Sequence, residues 1–122
     1  MNIIVADDSM VVRSVVNKVI KSLGHHTMHA VHGGEVLDIL ENEGNEVDLI
    51  LMDWNMPTMD GLEALKTIKK DKRFSSIPVI MLTSESDEKR IEMAHNAGVD
   101  GYIEKPFTPE ELIEGLEKVI KN

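Results

Sequence analysis

The clearest indication of the fold is Leu49-Ile50-Leu51-Met52-Asp53, a short apolar run that ends on a carboxylate. The same pattern recurs elsewhere in the chain, where polar residues follow other short apolar runs. These residues are the pair Asp7-Asp8, then Thr83, and then Lys105. If the runs are parallel strands, their carboxyl ends meet at one edge of a sheet, where open α/β sheets bind ligands. The recurrence therefore predicts both a fold and the position of its site.

Apolar periodicities of the strand type and the helix type alternate along the chain. The predicted strands are 2–6, 26–31, 48–52, 77–82 and 99–103, and the predicted helices are 9–23, a segment from Val36 that ends before Gly44, 60–72, 86–97 and a segment from Pro109 onward. Five βα units of this kind predict a flavodoxin-like α/β fold, a doubly wound five-stranded parallel sheet with helices on both faces. We expect the strand order 2-1-3-4-5, which places Asp7-Asp8 beside Asp53 and the more polar strand 26–31 at an edge.

Local signals mark the ends of the first and the last helix. Ser9 is a candidate N-cap of the first helix, and Gly24 is its candidate C′ residue. Thr108, Pro109 and Glu111 form a capping-box start of the last helix, with proline at the first helical position. Residues close in sequence therefore predict both ends of the first helix and the start of the last helix.

Size and composition limit the possible functions. The 122 residues fit one domain, 1–122, without a linker or a repeat. The formal net charge of −9 argues against broad nucleic-acid binding, and the absence of cysteine excludes disulfides and thiolate chemistry. No apolar run approaches the length of about 18 residues that indicates a membrane span, and the N-terminus lacks a signal-peptide pattern. We therefore expect a cytoplasmic protein that binds neither nucleic acid nor a membrane.

The predicted edge brings three carboxylates together, and this arrangement favours a divalent cation. Two like charges at about 4 Å repel by roughly 4 kcal/mol at an effective dielectric constant of about 20. Mg²⁺ removes that conflict, because it prefers one or two carboxylates, several waters and a phosphate oxygen. We expect Asp8 and Asp53 to bind it directly and Asp7 to hold a metal-bound water. The backbone carbonyl of Asn55, in the loop after Asp53, is a further candidate ligand.

The remaining polar residues suit the transfer of a phosphoryl group. An ionised carboxylate such as that of Asp53 can attack phosphorus and form an aspartyl phosphate without an added base. Lys105 and Thr83 can then donate to the phosphoryl oxygens, where charge must be stabilised. Each signal alone is weak, since acidic pairs and Lys-Pro dipeptides are common in turns. Their combination at successive strand ends favours phosphoryl transfer onto Asp53.

Five motifs place these residues in a wider pattern. They are Val5-Ala6-Asp7-Asp8-Ser9, Met52-Asp53-Trp54-Asn55-Met56-Pro57, Met59-Asp60-Gly61, Leu82-Thr83-Ser84 and Lys105-Pro106-Phe107. With these motifs the chain resembles the receiver domain of two-component response regulators from end to end. The resemblance implies that Asp53 accepts a phosphoryl group from the phosphohistidine of a sensor histidine kinase, with Mg²⁺ as the cofactor. It also implies that Asp7 and Asp8 form the acidic pair, that Thr83 is the switch hydroxyl, and that Lys105 pairs with the phosphate.

The segment from Asp53 to Pro57 is most similar to that of the single-domain chemotaxis members of the family. This similarity implies a monomer whose downstream partner is a protein such as the flagellar motor switch. It further implies that Tyr102 is the switch aromatic, and that Asn55 and Glu85 tune the lifetime of the phosphoryl group. Trp54, next to the nucleophile, is expected to be partly exposed beside the phosphoryl pocket.

The resemblance places the partner face in the region 86–121. Its candidate residues are Glu88, Ile91, His95, Val99, Tyr102, Glu104, Gly115 and Lys118. Ile91 and Lys118 match the chemotaxis members. Those members have lysine in place of Glu88 and of Gly115, and an apolar residue in place of Glu104. These departures leave the identity of the downstream partner open, although they do not touch the phosphorylation chemistry.

Three alternatives remain beside the phosphoacceptor switch. The chain could be the receiver domain of a larger or non-chemotaxis regulator, or a degenerate receiver that acts only through protein contacts. It could also be a Mg²⁺-dependent phosphatase of the haloacid dehalogenase kind, in which an aspartate is the nucleophile. That family carries an Asp-x-Asp pattern after its first strand, where this chain has Asp7-Asp8-Ser9. We therefore expect a phosphoacceptor switch that takes part in its own phosphorylation and dephosphorylation, and not an enzyme.

Overall fold

The computed structural model describes residues 1–84 and 87–120. Strands and helices alternate along these residues. The strands are β1 (Asn2–Ala6), β2 (His26–Ala30), β3 (Leu49–Met52), β4 (Val79–Thr83) and β5 (Gly101–Glu104). The helices are α1 (Met10–Ser22), α2 (Gly33–Glu43), α3 (Gly61–Lys70), α4 (Glu88–Asn96) and α5 (Pro109–Ile120), and a short 3₁₀ turn, Gly44–Glu46, follows α2.

The strands form one parallel sheet in the order β2-β1-β3-β4-β5. This order confirms the flavodoxin-like topology predicted from the sequence, with the more polar strand β2 at one edge. Ala6 of β1 pairs with Met52 of β3, and Met52 pairs with Met81 of β4. Because these neighbours are in register, the residues that follow β1 and β3 emerge side by side at the carboxyl edge of the sheet.

Two apolar layers cover the sheet, and the side chains of each strand alternate between them. One layer packs against α1 and α5 and contains Ile3, Val5, Leu49, Leu51, Ile80, Leu82, Val16, Ile20, Leu112 and Leu116. The other layer packs against α2, α3 and α4 and contains Ile4, Ile50, Met52, Val79, Met81, Val36, Leu40, Leu65, Ile68 and Ala94. Strands β3 and β4 are buried along their whole length. This burial explains why their sequences are apolar without alternation.

The predicted helix ends are present in the structure. The Oγ atom of Ser9 accepts the N–H of Val12 at 3.3 Å and caps α1, and Gly24 after α1 has a positive φ of 85°. At α5 the backbone N–H of Thr108 donates to Glu111 Oε1 at 2.9 Å, and the N–H of Glu111 donates to Thr108 Oγ1 at 3.1 Å. These reciprocal bonds are the capping box that the sequence indicates.

The observed strand starts differ from the predicted ones near Pro78. Strand β4 begins at Val79 and not at 77, because the N–H of Ile77 donates to the carbonyl of Phe74 and Pro78 has no N–H. Strand β5 begins at Gly101 and not at 99, because the carboxylate of Asp100 accepts the N–H of Val79 at 2.8 Å. Within 1–84 and 87–120, no helix is long and apolar enough to cross a membrane.

Candidate functional site

The carboxyl ends of β1 and β3 bring three carboxylates together. The N–H of Asp53 donates to the carbonyl of Ala6 at 2.9 Å, and the N–H of Asp7 donates to the carbonyl of Ala30 at 3.0 Å. Both residues thus extend the hydrogen bonding of the sheet beyond its strands. One carboxylate oxygen from each of Asp7, Asp8 and Asp53 lies within 4.8 Å of the others. Asp7 and Asp53 are buried, whereas Asp8 is exposed.

Lys105 follows β5 and reaches back across the edge to these carboxylates. Its Nζ atom lies 2.6 Å from Asp7 Oδ2 and 3.2 Å from Asp53 Oδ2. Its backbone N–H donates to the carbonyl of Thr83 at 3.0 Å, and the peptide bond to Pro106 is cis. The sequence predicted a phosphate-pairing role for Lys105. The bond to Asp7, 98 positions away in the chain, was not predicted.

Burial controls the electrostatics of the nucleophile candidate. Burial raises the pKa of Asp53 above the ordinary value of an aspartate, and the negative charge of Asp7 raises it further. The charge of Lys105 and the hydrogen bonds of Asp53 with Lys105 and Thr83 act in the opposite direction without cancelling the increase. Burial lowers the pKa of Lys105, but its hydrogen bond to Asp7 and the charges of both carboxylates outweigh that effect and raise it. The site therefore places the ammonium of Lys105 beside a carboxylate whose ionisation is disfavoured mainly by burial.

Each oxygen of Asp7 has a donor on the protein. Its Oδ1 atom accepts the N–H of Ser9 at 2.8 Å, and its Oδ2 atom accepts from Lys105. The guanidinium of Arg13 also donates to the backbone carbonyl of Asp7. This arrangement suits the predicted role of Asp7, which is to hold a metal-bound water and not to bind the metal directly.

The donor set fits Mg²⁺. The three clustered carboxylates supply hard oxygen atoms, and the ammonium of Lys105 contacts two of them, Asp7 and Asp53. Mg²⁺ prefers such ligands together with several waters, and the exposed carboxylate of Asp8 leaves water access to the cluster. Asn55 lies exposed in the loop after Asp53, and its backbone carbonyl stays a predicted ligand. Glu85, a predicted lifetime-tuning residue, lies outside the described residues.

Gly61 holds the loop after the candidate nucleophile and was not singled out as a site residue. Its N–H donates to the carbonyl of Trp54 at 2.8 Å, and a Cβ atom at this position would lie 2.1 Å from the carbonyl oxygen of Asp53. Only glycine permits so close an approach of two backbones. The available signal was the Asp60-Gly61 pair, since Asp60 caps α3 by accepting the N–H of Glu63 at 2.9 Å.

The expectation that Trp54 is partly exposed is wrong. Its side chain lies in the apolar layer with α2, α3 and α4, and the residue is only 4% exposed. The guanidinium of Arg90 lies over the indole ring, 5.5 Å from its centroid. Sequence reasoning missed this contact, because nothing in the chain between the two residues indicates that α4 returns to the loop after β3.

The structure brings half of the predicted partner-face residues into one groove. A cavity of about 380 Å³ lies between β5 and α5, and its lining includes Tyr102, Glu104, Gly115 and Lys118. The others lie apart from this groove: Glu88, Ile91 and His95 on α4, and Val99 before β5. Tyr102 is half-buried on β5, and it packs against the apolar layer that faces α2, α3 and α4.

Gly115 has a structural role in the groove. A Cβ atom at this position would lie 2.5 Å from Cδ1 of Ile103 in β5. A larger residue would therefore meet the flexible end of the Ile103 side chain, which would have to shift to make room. The glycine therefore leaves room for the Ile103 side chain beside the groove.

Comparison with known proteins supplies independent findings. The family model described as the response regulator receiver domain matches residues 3–117. A chemotaxis protein CheY homolog of Campylobacter jejuni is 40% identical over 121 residues, which are 98% of this chain and 92% of that protein. The solved structure of the Vibrio cholerae chemotaxis protein CheY4 superposes with a TM-score of 0.89 at 30% identity, over 97% of each chain. The receiver domain of a Pseudomonas aeruginosa sensor histidine kinase superposes with a TM-score of 0.88 at 28% identity, over 99% of this chain and 98% of that chain. The structure of that domain contains a magnesium ion in its active-site cleft.

Proposed function

Since this chain belongs to the receiver-domain family of response regulators and its relatives are of the CheY type, we propose that it is a phosphoacceptor switch with Asp53 as the acceptor. The observation that carries the proposal is the convergence of Asp7, Asp53 and Lys105 at one edge of the sheet, with Lys105 Nζ 3.2 Å from Asp53. The expected donor is the phosphohistidine of a sensor histidine kinase. The expected cofactor is Mg²⁺, as the magnesium in the Pseudomonas receiver suggests for the same fold.

The proposed chemistry begins with attack on phosphorus by an ionised oxygen of Asp53. The new oxygen–phosphorus bond forms as the bond between phosphorus and the histidine nitrogen of the donor breaks. The ammonium of Lys105 and the hydroxyl of Thr83 donate to the oxygens of the transferred group, where charge accumulates. Asp8 and Asp53, with the carbonyl of Asn55, would hold Mg²⁺, and the ion would neutralise negative charge between the carboxylates and the phosphoryl oxygens.

The proposed signal passes from Thr83 to Tyr102. Thr83 is fully buried at the end of β4, and its backbone carbonyl accepts from Lys105. When Thr83 and Lys105 turn toward the phosphoryl group, Tyr102 moves into the space that Thr83 leaves. Tyr102 lies on β5, next to β4, and lines the groove between β5 and α5. The phosphoryl charge thus shifts the population between two states of the partner face.

The proposal extends to the setting of the protein. The names of its relatives support a role in chemotaxis. We expect a cytoplasmic, monomeric regulator whose downstream partner is a protein such as the flagellar motor switch. A receiver within a larger or non-chemotaxis regulator is the alternative, because the site chemistry is the same in both. Binding of the purified protein to motor-switch components, with and without a phosphoryl mimic, separates the two.

Incubation with Mg²⁺ and a small acyl phosphate, followed by intact mass spectrometry, tests the proposal. The wild type should gain one phosphoryl group, and both Asp53→Asn and wild type with a chelator should gain none. Undiminished labelling of Asp53→Asn would rule out Asp53 as the acceptor. Repeated turnover of a phosphate monoester by the wild type would instead favour the phosphatase alternative.

A further inference from the structure

A contact between Arg90 and Trp54 joins two segments that are far apart in the sequence. Trp54 directly follows Asp53, and Arg90 lies in the first turn of α4 after its N-cap Asp87. The guanidinium carbon lies 5.5 Å from the centroid of the indole ring. Cations are attracted to the face of an aromatic ring at distances up to about 6 Å. The contact therefore runs from the residue beside the proposed phosphoacceptor to the helix that opens the partner face.

The backbone of Trp54 is held in the loop that follows Asp53. Trp54 is buried in the apolar layer, and its carbonyl accepts the N–H of Gly61 at 2.8 Å. Gly61 in turn lies against the carbonyl of Asp53 so closely that a Cβ atom has no room. The ring is therefore carried by a residue that directly follows Asp53 and whose backbone is bonded to the same loop.

The guanidinium of Arg90 belongs to α4, a helix with few buried side chains. Among the residues of α4, all of which the structure describes, only Ala94 is buried. Arg90 itself is exposed. Elements with few buried apolar contacts change position at low cost in free energy. A side-chain contact in the first turn therefore contributes to the position of α4.

We infer that Arg90 is a positioning residue that couples α4 to the state of Asp53 through the ring of Trp54. The inference rests on the proposed function, because a phosphoryl group on Asp53 is the input to the coupling. A shift of the segment after Asp53 carries the indole ring with it, and the guanidinium transmits the shift to α4. This route to the partner face is separate from the one through Thr83 and Tyr102.

The spectroscopic test uses Arg90→Gln and Arg90→Lys in the full chain. Trp54 is the only tryptophan of the sequence, so its emission reports on its own surroundings without interference. Arg90→Gln should shift the emission of the unliganded protein, and Arg90→Lys, which keeps a cation near the ring, should retain most of the wild-type emission. The matched control is Arg73→Gln, which removes the guanidinium that lies 4.7 Å from the Phe74 ring. It should leave the emission of Trp54 unchanged.

Hydrogen exchange of the α4 amides tests the coupling itself. Without a phosphoryl mimic, these amides should exchange about two- to fivefold faster in Arg90→Gln than in the wild type, the factor that an exposed cation–π contact corresponds to. Mg²⁺ and beryllofluoride should change the exchange of α4 in the wild type and in Arg90→Lys. The same addition should change it much less in Arg90→Gln.

Fluorine NMR of bound beryllofluoride distinguishes the two ways in which the test can fail. If Arg90→Gln binds the mimic and its α4 responds as in the wild type, the inference is wrong and the proposed function stands. Equal behaviour of Arg90→Gln and Arg90→Lys in both assays also overturns the inference, since a cation at this position would then have no effect. If the wild type does not bind the mimic, the proposed function fails and the inference fails with it.

Discussion

The charged side chains at the edge of the sheet are mostly buried, whereas those in the groove between β5 and α5 are exposed to solvent. At the edge, Asp7 is 1% exposed and Asp53 is 7% exposed, and both contact the single ammonium of Lys105. In the groove, Glu104 and Lys118 are exposed to solvent. Buried charges need a partner at a defined distance, whereas exposed charges are solvated and screened. The edge should therefore tolerate few substitutions, and the groove should tolerate changes that alter which partner binds.

Replacement of Lys105 by methionine should lower the free energy of unfolding more than any other change considered for the edge or the groove. The two buried carboxylates lose their common cation, so the free energy of unfolding without Mg²⁺ should fall by about 3 kcal/mol. Excess Mg²⁺ should recover part of the loss, because a cation that binds only the folded state stabilises it. Urea unfolding measures both values. The matched control Lys118→Met in the groove should cost less than about 0.5 kcal/mol, and an equal cost for the two variants would contradict the comparison.

Gly61→Ala should be the next most damaging change. A Cβ atom would lie 2.1 Å from the carbonyl oxygen of Asp53, so the loop must move, at a cost of about 2 kcal/mol in the free energy of unfolding. Phosphoryl labelling should also slow, because Asp53 moves with the loop. The control Gly24→Ala meets no atom within 4 Å but has a φ of +85°. It should cost about 1 kcal/mol through backbone strain and leave the labelling rate unchanged.

Titration of the Asp53 carboxyl carbon by NMR should show the raised pKa. In metal-free protein its midpoint should lie above that of an ordinary aspartate, because burial and the charge of Asp7 disfavour ionisation. Asp7→Asn should move the midpoint down, and Mg²⁺ should move it further down. A midpoint at or below the ordinary value in metal-free protein would contradict the description of the edge.

The raised pKa also determines the sign of a stability effect. Because the pKa of Asp53 is higher in the folded state, protonation of Asp53 stabilises the folded state. This contribution to the free energy of unfolding is complete below the pKa of the unfolded chain, and it is lost as the pH rises through the pKa of the folded state. Asp53→Asn should therefore be more stable than the wild type at neutral pH without Mg²⁺. The gain should disappear in acid, as denaturant unfolding across the pH range can show.

Thr108→Ala should produce the smallest effect of the series. It removes one half of the capping box of α5, so the free energy of unfolding should fall by about 1 kcal/mol. The site residues lie elsewhere, and phosphoryl labelling should continue at the wild-type rate. A slower labelling rate would show that α5 supports the edge directly, and that the two regions are less separate than their structures indicate.

Much of the fold could be predicted, because the relevant signals are local or periodic. The alternation of apolar runs predicted a parallel sheet, and the flavodoxin-like arrangement of five such units predicted its strand order. Thr108 and Glu111, which are three positions apart, predicted the start of α5. The positions of the site residues could also be predicted, because parallel strands place their carboxyl ends at one edge of the sheet.

Other features depend on where distant elements pack, and no local pattern reports that. The bond between Lys105 and Asp7 joins opposite ends of the chain, and the burial of Trp54 depends on the position of α4. The close approach of Gly115 to Ile103 likewise depends on how α5 lies against β5. In each case the partner is chosen by tertiary packing, which sequence periodicity does not specify.

Amide NMR with and without beryllofluoride and Mg²⁺ shows whether a phosphoryl mimic at the edge changes the groove. In the wild type, resonances should shift at the edge, near Asp53 and Thr83, and also around Tyr102 and Lys118 in the groove. Asp53→Asn under the same conditions should show neither set of shifts. Wild-type shifts confined to the edge, with an unchanged groove, would contradict the account.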